Sequence, residues 1–125
     1  MINTKLTRKA MIIAYEAHKN QVDKSGVPYI YHPIHVAEQM NTENECIIAL
    51  LHDVVEDTNV TFKQLEEVFS KEIIDILKLL TREENIEYDE YIKRIKNNSI
   101  ACKVKIADLT HNLDKTRLNF VTEVD

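Results

Sequence analysis

The chain has 125 residues, 44% apolar and 30% charged, the balance of one soluble globular domain large enough to bury a core without staples. A net charge of −5 excludes a general nucleic-acid surface, whose affinity comes from clustered Lys and Arg on phosphates, but leaves room for a small anionic substrate. One glycine, two prolines and no tryptophan exclude a turn-rich sheet protein and predict an all-α fold, a bundle of about six to seven helices.

The opening MINTKLTRKAMIIAYEA carries Glu16 and lacks a long apolar core, so it is neither a signal peptide nor a membrane span. Thr4 or Thr7 can cap a first helix running to about residue 19, with Leu6, Ala10, Ile13, Ala14 and Ala17 on its apolar side. Residues 20–31, NQVDKSGVPYIY, hold Gly26 and Pro28 and read as the one long loop, a length that often carries function. His32 and Pro33 open a second helix, with Pro33 in the first turn, where a missing N–H does no harm.

A third helix is expected from about residue 43 to 55. Positions 46–51, 54 and 55 are all apolar, so it is buried on nearly every side, yet it carries His52, Asp53, Glu56 and Asp57. Thr61 and Gln64 form a capping-box pattern for a short helix to Phe69, and Ser70 caps the next, whose face is Ile73, Ile76, Leu77 and Leu80. Residues 81–89 are a polar connection, followed by a solvated amphipathic helix through Asn97. Ser99 is expected to cap a last, broadly buried helix to about residue 114, with Cys102, Ile106, Leu109 and Leu113 along one face. Cys46 and Cys102 lie in apolar helical runs and read as buried free thiols, which with the absent targeting signal places the chain in the cytoplasm.

A carboxylate in such surroundings is costly unless a cation, a donor network or a raised pKa offsets it. His32, His52, Asp53 and Asp108 come from three expected helices, the way helix-bundle metal sites are assembled, and imidazole with carboxylate suits Zn, Mn, Fe or Ni. A buried salt bridge between His52 and Asp108 is the alternative. Glu56 lies four residues after His52 and Asp57 four after Asp53, one helical turn along, where they could orient or deprotonate an attacking water. His18, His35 and His111 are expected at the surface or in support of the ligands.

His32 in YIYHPIHVA, His52-Asp53 in ALLHDVVEDT and Asp108 in KIADLTHN resemble the ordered motifs of the HD-domain metal-dependent phosphohydrolases, specifically the RelA/SpoT-type guanosine tetraphosphate (alarmone) hydrolases. AHKNQVDKSGVPYIYHP and TFKQLEEVF are similar to that branch too, so the resemblance runs from about Met11 to Asn112. It implies a single HD-type domain over residues 1–125, short at its C-terminus and without a synthetase or regulatory domain. It implies that His32, His52, Asp53 and Asp108 ligate one Mn²⁺, and that Glu56 and Asp57 activate or position the water. It further implies that Lys24 and Ser25 meet the nucleotide and that Asn112 lies near sugar and phosphate. The implied reaction is hydrolytic release of the 3′-pyrophosphate from guanosine tetra- or pentaphosphate or a related nucleotide, with Lys24, Lys103, Lys105 or Arg117 as local cations.

Asn20 and Asp23 stand where the family usually has Gly and Arg. A lost guanidinium removes a cation–π contribution of about 0.5–2 kcal/mol, and a carboxylate there repels phosphate. An HD-type nucleotidase or phosphodiesterase on another nucleotide is therefore the alternative enzyme, and a non-catalytic metal- and nucleotide-binding module the alternative outside catalysis. Glu56 and Asp57, which no structural metal requires, favour an enzyme.

Overall fold

The computed structural model describes residues 1–114. Among them are eight helices and no strand beyond one isolated antiparallel bridge, Val22 to Pro28. They are α1 (Lys5–Ala17), α2 (Tyr31–Glu38), α3 (Glu43–Leu51), α4 (Val54–Asp57), α5 (Phe62–Glu66), α6 (Lys71–Leu80), α7 (Tyr88–Lys96) and α8 (Ser99–Asn112). None is long and apolar enough to cross a membrane. The all-α expectation holds, and the count rises because the expected central helix is two.

Most helix starts follow from local chemistry. Thr4 caps α1 in a reciprocal box with Thr7, Thr61 does so for α5 with Gln64, and Ser70 accepts from the Ile73 N–H at the head of α6. The last helix starts one residue earlier than expected: Asn98, not Ser99, accepts from the Ala101 N–H. The α5 helix ends at Glu66 rather than Phe69.

The α3 helix is the axis of the core. Cys46 through Leu51 are each at most 1% exposed, and α1, α2, α6 and α8 all pack on it. At about 1.5–3 kcal/mol for each fully buried large aliphatic, this one segment contributes a large share of the hydrophobic driving force. The α8 helix departs from its expected orientation. Ala101, Val104 and Asp108 face inward, while Ile106, Leu109 and Leu113 are exposed and Cys102 is half-buried. The small side chains Ala101 and Val104 let α8 approach α2, α3 and α6 closely enough for Asp108 to meet the histidines.

The candidate cation Lys103 has a structural engagement. Lys103 ties α8 to the α2–α3 connection through Asn41 Oδ1 (2.6 Å) and Glu45 Oε1 (2.8 Å), so its charge serves the fold. Arg117 lies outside the described residues.

Candidate metal centre

Central to the site is a break after Leu51. His52 Nδ1–H donates to the Ala49 carbonyl at 2.6 Å, taking the acceptor that a continuing helix would offer to the residue 53 amide. The backbone turns through His52 and Asp53 before α4 resumes. In an unbroken helix, consecutive residues diverge around the axis and cannot face one point. With the turn, His52 Nε2 and Asp53 Oδ2 come to 3.0 Å.

The other two members arrive from different helices. His32, in the first turn of α2, places Nε2 2.7 Å from Asp108 Oδ1 and 4.0 Å from Asp53 Oδ2; His52 Nε2 is 3.5 Å from Asp108 Oδ1. One ligand atom from each of His32, His52, Asp53 and Asp108 lies within 4.8 Å of the other three. All four predicted residues therefore converge, three buried and Asp53 partly open.

Electrostatics and hydrogen bonds fit this cluster to a cation. His52 Nε2 is buried and close to two carboxylates, yet aligned for a hydrogen bond with neither. With its proton on Nδ1, neutral His52 would direct its Nε2 lone pair into the cluster. His32 Nδ1 lies 2.8 Å from His111 Nδ1, which can take that proton and leave His32 Nε2 free as a ligand. Without a metal, the carboxylates must be balanced by protons. Burial opposes charge on His52, but Asp53 and Asp108 override it and push the imidazole up to about 10. Burial likewise opposes ionisation of Asp53, and His52 overrides it, with Tyr29 assisting, to hold the carboxyl at about 2. Asp108 is held well below the usual carboxylate range against its burial, first by the hydrogen bond from His32 and then by the His52 imidazole 3.5 Å away. A divalent ion would perform the same neutralisation, and this donor set suits one.

Supporting residues complete the cluster, and of these only Tyr29 was not among the candidates the sequence offered. Tyr29 donates from its hydroxyl to Asp53 Oδ2. His18, expected at the surface or in support, is 1% exposed, with its ring 4.8 Å from that of Tyr29. His111 stacks between His32 and the exposed His35, with ring centroids 5.0 and 3.9 Å away. Lys105 Nζ holds the other oxygen of Asp108 at 3.2 Å and lies over the Tyr91 ring. Tyr29 and Lys105 stand three residues before a ligand each, which is the one cue the sequence offered.

The remaining predicted residues lie on α4, on α8 and in the loop before α2. Glu56 and Asp57 lie on α4 and are exposed. Partial burial, then neighbouring carboxylates, raise both above the ordinary range: Asp57 and Asp53 act on Glu56, and Asp53 acts on Asp57. Asn112 Nδ2 donates to Asp108 Oδ1 at 3.2 Å. Lys24 is exposed on the 20–31 loop, and the Ser25 N–H is held by Asp23 Oδ1.

A family model described as HD domain matches residues 10–110. The chain belongs to the HD domain family. That family implies dependence on a divalent metal, for which His32, His52, Asp53 and Asp108 are the available group. This HD domain is 31% identical over 124 residues to the bifunctional (p)ppGpp synthase/hydrolase SpoT of Escherichia coli strain K12, covering 87% of the chain but 18% of that protein. It therefore spans less than a fifth of that relative's length. It is 35% identical to the guanosine-3′,5′-bis(diphosphate) 3′-pyrophosphohydrolase MESH1 of Danio rerio, covering 89% of the chain and 69% of that protein. A solved structure of a metazoan ortholog of SpoT, described as hydrolysing ppGpp, matches with a TM-score of 0.73 at 26% identity, over 86% of this chain and 68% of that one.

Proposed function

We propose that this HD domain is a metal-dependent pyrophosphohydrolase that releases the 3′-pyrophosphate of guanosine tetra- or pentaphosphate or a related nucleotide. The observation that carries the reading is the convergence of two imidazoles and two carboxylates beside an acid pair with raised pKa values. The likeness to SpoT and MESH1 supports the substrate class. His32, His52, Asp53 and Asp108 would hold the ion, with Mn²⁺ our assignment. Bound there, the ion would supply positive charge against the phosphates and lower the pKa of water.

The chain's own residues account for the rest. Glu56 and Asp57 position the attacking water and take its proton; their raised pKa values make them better bases at neutral pH. The water oxygen joins the phosphorus next to the ribose, the bond from that phosphorus to the 3′ oxygen breaks, and the ribose oxygen leaves with a proton as hydroxyl. Asn112 and Lys105, both on the Asp108 carboxylate, face the phosphates, and Lys24 with Ser25 approaches the nucleotide from the loop. Free Cys46 and Cys102 suit a cytoplasmic setting.

One observation favours a second reading, the same chemistry on a nucleotide with a different base. Asp23 Oδ1 accepts from the N–H groups of Ser25 (2.8 Å) and Val27 (3.0 Å), so this position shapes the loop and presents no guanidinium to a purine. Pyrophosphate release from guanosine tetraphosphate by the Mn²⁺-loaded chain, run beside His52→Ala and with other nucleotides, tests both. Metal-dependent release that the variant abolishes is expected; no release with Mn²⁺ bound would overturn the guanosine assignment.

A further inference from the structure

The α4 helix has four residues, too few to be stable by itself, yet it presents Glu56 and Asp57. Its terminal carbonyls lack intrahelical partners. One of them, that of Asp57, accepts a hydrogen bond at 2.9 Å from Gln21 Nε2, thirty-six positions earlier in the chain. Gln21 is not free to rotate. Its Oε1 lies 2.8 Å from His18 Nδ1, and because an amide oxygen only accepts, His18 carries its proton on Nδ1 and Gln21 must turn its NH₂ toward α4.

His18 is 1% exposed and its Nε2 has no hydrogen-bond partner among the described residues, so burying this ring costs free energy that an apolar side chain would avoid. What the position gains is the Nδ1 bond that orients Gln21. The Gln21 backbone also contributes, since its carbonyl accepts from the Tyr29 N–H at 2.8 Å, and the Tyr29 hydroxyl bonds Asp53. Gln21 thus joins the acid pair's helix to the mount of a metal ligand.

We propose that Gln21, oriented by buried His18, is a positioning residue for the reaction, holding α4 so that Asp57 stands in register with the metal centre. The proposal rests on the reading of Asp57 as a proton acceptor. Gln21→Met removes the side-chain donor and acceptor but keeps the length and the backbone bond to Tyr29. In the Mn²⁺-loaded chain with guanosine tetraphosphate, it is expected to lower kcat about tenfold or more, with KM and Mn²⁺ affinity within about twofold of wild type. Unchanged kcat, or kcat and Mn²⁺ affinity falling together, would overturn it.

In the Asp57→Asn background, Gln21→Met is expected to cost nothing further, whereas independent, additive losses would overturn the proposal. Asp57→Asn with full turnover would instead sink the role given to Asp57. If wild type turns over no nucleotide, amide exchange decides. The Asp57 and Thr58 N–H groups, bonded to the Asp53 and Val54 carbonyls, should exchange about fivefold faster in Gln21→Met while α3 is unchanged, and unaltered exchange would overturn the proposal.

Discussion

Glu56 and Asp57 differ from the four cluster residues in what their loss should do. On the proposed reading, removing a ligand would empty the site, whereas Glu56→Gln would leave the ligand set intact and take away one base. We expect Glu56→Gln to retain its metal, measured as bound ion per chain, while kcat falls about 10²–10⁴-fold. His111 acts through His32 Nδ1. His111→Ala leaves that N–H without its acceptor and should weaken metal binding about 10–100-fold in a chelator competition, with His111→Asn closer to wild type because its amide oxygen can accept. His32, His52, Asp53 and Asp108 were legible because costly side chains in apolar segments demand a partner. For His111 a surface or supporting place was legible but not its partner, since a histidine near a helix end carries no sign of which ring it will meet.

At the scale of elements, the break between α3 and α4 brings His52 and Asp53 together, and at it a side chain occupies the Ala49 backbone carbonyl. Apolar pattern alone reads 43–55 as continuous, because it contains no glycine or proline to announce a stop. Helix α8 teaches the complementary lesson. Its sequence offers two plausible faces, and the one with larger side chains, Ile106, Leu109 and Leu113, is the one left exposed. The choice rests on Asp108 reaching the histidines. Asn98→Ala, which removes the cap of this helix, should cost about 1 kcal/mol in urea unfolding. In the loop, Gly26 has φ +82 with nothing within 4 Å of where a Cβ would stand, so Gly26→Ala meets no clash. Its cost, about 1 kcal/mol in the same measurement, should come from backbone strain alone.

For the whole molecule, the cluster couples stability to pH. Asp53, lowered from 3.8 to about 2, contributes stability that is full above 3.8 and lost as pH falls toward 2, and Asp108 acts in the same direction. His52, raised from 6.5 to about 10, contributes stability that is full below 6.5 and lost as pH rises toward 10. Glu56 and Asp57, raised but exposed, oppose this weakly just above the ordinary carboxylate range. The metal-free chain should therefore melt highest between about pH 4 and 6.5, falling on both sides in a thermal scan. A metal needs neutral His52, so binding at pH 7 should release about one proton, read by calorimetry in buffers of different ionisation enthalpy. Composition and pattern by themselves determined the all-α class, the buried central segment, the caps at Thr4, Thr61 and Ser70, and the residues able to hold a cation, because each follows from local propensity or desolvation cost. Only the tertiary structure decided where the central helix breaks, which side of α8 turns inward, that Lys103 is engaged by Glu45 and Asp23 by its own loop, and that Gln21 reaches α4. Those outcomes depend on which groups distant segments bring within hydrogen-bonding distance, and no stretch of sequence contains its partner.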